Sequence, residues 1–95
     1  MSAYPSISSG KISSSQIVTS SACRLSGILV KSDGTNTATV VVYDNTSAAG
    51  KILWEVSVTG AQQFGGRNWI FPVIADNGLY CEISGTNAAA IVEYV

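Results

Sequence analysis

The chain has 95 residues, a formal charge of −1 and no histidine. The missing imidazole excludes Ser/His/Asp and Cys/His catalysis and His-ligated zinc. The five cations, Lys11, Arg24, Lys31, Lys51 and Arg67, are scattered and form no basic run of the kind that releases counterions from nucleic acid.

Residues 1–21 (MSAYPSISSGKISSSQIVTSS) hold nine of the fourteen serines. Isolated apolar residues stand among them at Tyr4, Ile7, Ile12, Ile17 and Val18. Two readings compete: a polar tail without structure, and an extended arm that orders against a neighbour. The regular apolar spacing favours the arm, with a first strand beginning at Gln16–Thr19.

From Cys23 onward short apolar runs alternate with turn chemistry. Cys23–Lys31 reads as a strand, and Ser32–Asn36 as a turn whose Asp-Gly pair signals a hairpin. Ala38–Asp44 is a strand rich in β-branched residues, and Asn45–Gly50 is a loop. Lys51–Thr59 alternates, with Ile52, Trp54, Val56 and Val58 on one face. Gly60–Gly66 reads as a flexible loop. Arg67–Ile74 is a strand in which Pro72, lacking an N–H, calls for an edge or a bulge. Asp76–Gly78 turns, and Leu79–Ser84 is a strand with Leu79, Cys81 and Ile83 on one face. Gly85–Asn87 turns again, and Ala88–Val95 closes the chain as a strand. No segment shows a capped helical period. Short strands joined by Gly, Asn and Asp turns predict an all-β fold, an antiparallel β-sandwich or barrel, as a single domain over residues 22–95 behind a Ser-rich N-terminal arm at 1–21.

An internal echo links Gly34–Tyr43 to Gly85–Tyr94 through the shared pattern G-T-N-x-A-x-[VI]-V-x-Y. It predicts two equivalent hairpins, each a turn tolerant of positive φ followed by a strand.

Chemistry is sparse. Asp33, Asp44 and Asp76 each precede Gly or Asn, as turns require. The remaining acids, Glu55, Glu82 and Glu93, give a small chain little with which to build a catalytic cleft. No loop carries the alternating pattern of a calcium site. Cys23 and Cys81 lie too far apart for a CxxC motif and read as buried thiols. A disulfide between them needs an oxidising compartment, and the N-terminus shows no export signal. The longest apolar stretch, Ile17–Val30, is interrupted by Arg24 and serines, so no membrane-spanning helix is expected. The reading is therefore non-enzymatic, with no catalytic residue, cofactor or metal.

Surface contact is the better-supported theme. Charged residues make up 12% of the chain, against about 25% in an ordinary domain, and apolar residues reach 46%. A chain of this size buries only about two-thirds of its surface, so some apolar character falls outside its own core. In Ala38–Asp44, Val41 and Tyr43 back Val40 and Val42. In Arg67–Ile74, Ile70 and Ile74 back Trp69, Phe71 and Val73. A second apolar face predicts burial against copies of the chain or a partner, with a cyclic homo-oligomer favoured. The expected interface residues are Tyr4, Ile7, Ile12 and Ile17 in the arm, and Phe64, Arg67 and Trp69 around the Gly65-Gly66 loop. A Trp in an alternating strand is usually core, and Trp69 beside Arg67 and Asn68 is the exception to expect at a protein or glycan contact.

The stretches CRLSGILV (23–30), SDGTN (32–36), VVYDN (41–45), KILWEV (51–56) and NGLYC (77–81) together resemble small virion proteins of tailed bacteriophages, most closely the decoration or cement proteins of capsids. The resemblance implies a jelly-roll-like β-sandwich. It also implies a homotrimer on the capsid surface at local three-fold positions, clamping neighbouring major capsid protein subunits. It implies no catalysis; the scattered cations and the lack of a long apolar run separately argue against a nucleic-acid or membrane partner. The rival readings are a phage tail or fibre attachment module and a glycan-binding β-sandwich.

Overall fold

In a computed structural model, which describes residues 6–95, the apolar runs form eight strands. They are β1 (Ile7–Ile12), β2 (Gln16–Thr19), β3 (Cys23–Lys31), β4 (Ala38–Tyr43), β5 (Ile52–Val58), β6 (Phe64–Ala75), β7 (Leu79–Ser84) and β8 (Ala89–Tyr94). Two four-stranded antiparallel sheets result, ordered β1-β8-β3-β6 and β2-β7-β4-β5. The pairs β4–β5, β3–β6, β2–β7 and β1–β8 are nested. The chain doubles back at the β4–β5 hairpin, and the doubled ribbon winds across both sheets. This is the winding of a jelly roll.

Alternation explains why the sheets pack. β4 runs buried, half-buried, buried along its length, so Ala38, Val40 and Val42 face inward. Leu25 and Val30 of β3, Leu79 and Cys81 of β7, Val58 of β5 and Val92 of β8 meet them and are fully or almost fully buried. Sheets packed this way stand about 10 Å apart.

Residues 7–19 of the Ser-rich segment belong to the sandwich. β1 pairs with β8 and β2 with β7, so residues 7–19 supply one edge strand to each sheet. Serine hydroxyls stitch them on. Val92 N–H donates to Ser9 Oγ at 2.9 Å, and Ile83 N–H donates to Ser15 Oγ at 2.9 Å. Where a strand edge is irregular, a hydroxyl replaces a missing ladder partner.

The G-T-N echo marks equivalent places, but they are not hairpins. β3–β4 and β7–β8 each cross from one sheet to the other. The two crossovers meet: the Asn87 side chain lies near enough to Asp33 to help lower its pKa, and a Cβ on Gly85 (φ 111°) would run into the Thr37 carbonyl. Sequence-adjacent strands here pair with strands of the opposite half of the ribbon, which local turn chemistry does not reveal.

Three further differences have local causes. The expected loop at Gly60–Gly66 ends early, because Phe64, Gly65 and Gly66 already belong to β6. Glycine is needed there: a Cβ on Gly65 would come within 2.6 Å of Val58 Cγ2, and one on Gly66 would strike the Ile28 carbonyl. In β5 a register shift opposite Val42 and Tyr43 turns Ile52 outward and leaves Leu53 against the core. In β6 the pairing jumps from Leu25↔Val73 to Gly27↔Asn68. Ser26 alone faces Trp69 through Pro72, the bulge that Pro72 called for.

Candidate interaction surfaces

Among the described residues, the β6 bulge builds the most exposed apolar feature. Its extra residues leave the sheet plane, and Ile70 and Phe71 stand 91% and 87% exposed at its tip. Strand alternation assigned Phe71 to the same face as Trp69 and Val73. The bulge breaks that alternation, so Trp69 and Val73 pack on the core and Phe71 does not. Total surface is 5410 Å², near the roughly 5,200 Å² of a compact chain of this mass. The exposed apolar groups therefore reflect what lies on the surface, and not an open fold.

Behind the bulge the open side between β5 and β6 is closed by aromatics. Trp54 and Trp69 meet edge to face, with ring centroids 6.1 Å apart. The Arg67 guanidinium lies over the Trp69 ring, 5.3 Å from its centroid. Such cation–π contacts are worth about 0.5–1 kcal/mol at exposed sites. Trp69 is thus partly buried, one ring face covered by Arg67, and it offers less of a free stacking platform than Phe71.

The other expected interface residues separate. Ile12 is a core residue, 8% exposed and paired with Ala90 of β8, so its expected role at an interface gives way to packing inside the sandwich. Ile7 and Ile17 stay about half exposed on the edge strands β1 and β2. Phe64 is also exposed and stands on the outer face of β6 opposite Lys31. Tyr4 lies outside the described residues. Phe64, Arg67 and Trp69 thus share β6 with Ile70 and Phe71, while Ile7 and Ile17 belong to different sheets.

Both sheets have half-apolar outer faces. On the first, the register lines up Lys11, Ile91, Leu29 and Gly66 in one cross-strand row, with Ala89, Lys31 and Phe64 in the next. On the second it lines up Glu82, Val41 and Glu55, then Ile17, Tyr80, Tyr43 and Ile52. The Tyr43 hydroxyl donates to Glu82 Oε1 at 3.2 Å. Desolvation, that hydrogen bond and the charges of Glu82 and Glu55 push the Tyr43 phenol above its ordinary value.

Polar groups inside the sandwich have structural partners. Asp44 is buried, and its Oδ1 accepts the Asn77 N–H at 2.8 Å, tying the end of β4 to the turn before β7. Buried Ser32 accepts the Gly34 N–H at 3.2 Å and donates to the Gly60 carbonyl at 3.4 Å. Cys23 and Cys81 are free thiols on β3 and β7, in different sheets. Burial pushes Cys81 up to about 12, and burial with the nearby Asp44 charge raises Cys23. Thiols held protonated in this way are poor nucleophiles. Among the described residues no cluster of acidic or cysteine side chains is arranged to hold a metal, and no helix is long and apolar enough to cross a membrane.

Comparison with known protein families, with curated proteins and with solved structures gives no match to this chain.

Proposed function

We propose that the chain is a non-catalytic structural protein of a bacteriophage virion, a capsid decoration protein that binds the major capsid protein lattice as a homo-oligomer, a trimer by the resemblance, and clamps neighbouring subunits. One observation carries the reading beyond the resemblance: Ile70 and Phe71 project side by side, almost fully exposed, from a bulge on a sheet. A strand holds them in place, so little ordering entropy is lost when a partner covers them. Burying each contributes about 1.5–3 kcal/mol before association costs. Repetition over a lattice multiplies a modest contact into avidity. The low charge of the chain suits surfaces that end up covered.

The experiment compares the unmodified protein with an Ile70→Ser/Phe71→Ser variant on expanded, empty capsid shells. The unmodified protein saturates the shells and raises their resistance to heat. The variant binds at least tenfold more weakly, the equivalent of about 1.4 kcal/mol. Equal occupancy by the two proteins contradicts the role of the bulge. Binding to isolated tails in place of shells supports the attachment-module reading.

A further inference from the structure

The charges of this chain are sorted between its two sheets. The strands of the first sheet carry Lys11, Arg24, Lys31 and Arg67 against a single acid, Glu93. The strands of the second carry Glu55 and Glu82 and no cation, with Lys51 standing just before β5. A domain with so few charges has no need to sort them for solubility alone.

The sorted charges also form two pairs of similar spacing. Lys11 and Lys31 are exposed on β1 and β3, two strands apart across β8, with Ile91 and Leu29 between them. Glu82 and Glu55 lie on β7 and β5, two strands apart across β4, with Val41 between them. Glu55 and Glu82 share a cross-strand row and stand about 10 Å apart, whereas Lys11 and Lys31 stand one row apart along β8, which puts them about 12 Å apart. The second face presents two acids around Val41, and the first presents Lys11 and Lys31 around Ile91 and Leu29 with Glu93 one row further along β8, so the two pairs have opposite sign. The molecule measures 38 × 30 × 19 Å, and the broad dimensions leave room for the ~800 Å² per partner of a standard interface.

We infer that copies of this chain associate head to tail, the Lys11–Lys31 face of one docking on the Glu55–Glu82 face of the next. The inference rests on the homo-oligomer part of the proposed function, not on its trimer, and supplies a contact between copies. A contact between two different faces is heterologous: it closes into a ring when the rotation per copy allows, and otherwise continues as a stack. Apolar centres supply area, and the charges set the register and exclude like-face pairing.

The test is sedimentation of the full chain at about 50 mM and about 500 mM salt, across which charge attraction is strongly screened. The unmodified protein sediments as a multiple of 9.9 kDa at low salt and dissociates at high salt. Lys11→Glu/Lys31→Glu and Glu55→Lys/Glu82→Lys each weaken self-association at least tenfold. An equimolar mixture of these two variants associates again, because the reversed first face of one meets the reversed second face of the other. A monomer at low salt, variants that associate like the unmodified protein, or a mixture that stays apart overturns the inference. Should charge reversal disturb folding, Lys11→Gln/Lys31→Gln and the salt series carry the same test. Shell occupancy measured in parallel separates the two ideas. Intact occupancy without self-association removes this contact alone, and intact self-association without occupancy removes the decoration reading alone.

Discussion

Asp33 holds the β3–β4 crossover from a fully exposed position. Its Oδ1 accepts the N–H groups of Thr35 and Asn36 at 2.8 and 2.7 Å, and its Oδ2 accepts the Asn36 side-chain amide at 2.8 Å. These bonds, led by the Asn36 backbone, lower its pKa to about 2. A lowered carboxylate stabilises the fold above its unfolded value of about 3.9. That contribution is lost as the pH falls toward about 2. Titration by NMR is expected to place the Asp33 midpoint near about 2. A midpoint at the ordinary carboxylate value contradicts the crossover geometry. Cys81 runs the other way: its thiol, raised to about 12, stays protonated while an unfolded thiol ionises. Its share of stability is therefore present below the unfolded value and falls as the pH climbs from there toward about 12. A thiol reagent is expected to leave Cys81 unmodified in the folded chain and to label it on unfolding. Rapid labelling of the native protein contradicts its burial.

At the scale of the strand, Ile7 and Ile12 lie on one element with opposite fates. Ile12→Ala is expected to cost about 2 kcal/mol, at the low end for a core isoleucine because it sits on an edge strand. Ile7→Ala, at an exposed position, is expected to cost less than about 0.5 kcal/mol. Thermal or denaturant unfolding of the two variants measures the difference, and equal small losses contradict the placement of β1 in the core. The same strand shows what was legible. Alternation in Ala38–Tyr43 and the chain-breaking chemistry of Pro72 are local, and both predicted their surroundings. The fate of Ile12 depends on Ala90, and that of Phe71 on how many residues of β6 face Ser26. Register is a property of two strands, and a slip of one residue turns every side chain to the other face. That is why Ile12 reads as an interface residue, and Phe71 as sharing the face of Trp69 and Val73, until the partners are known. The signal that Phe71 leaves the core lies in Pro72, one position beyond it.

For the whole molecule, an all-β sandwich follows from spacing and turn chemistry, because short strands punctuated by Gly and Asn leave few other architectures. The nested winding is less legible. It joins β1 to β8 across nearly the full chain, and nothing near Ile7 points to Tyr94. The sorting of charge between sheets becomes visible only after that winding assigns each strand to a sheet. It also gives the shortage of charge a spatial meaning, since the strands of one sheet hold four cations and one acid and those of the other hold two acids and no cation. The bulge and the two faces are separate surfaces, so one chain has room for a lattice partner and for its own copies. The proposed role is decoration of a capsid. Its most direct test separates heads from tails of purified phage particles and quantifies the chain in each by mass spectrometry. The account predicts the chain in heads, in a fixed ratio to the major capsid protein; finding it only in tails, or absent from the particle, contradicts the account.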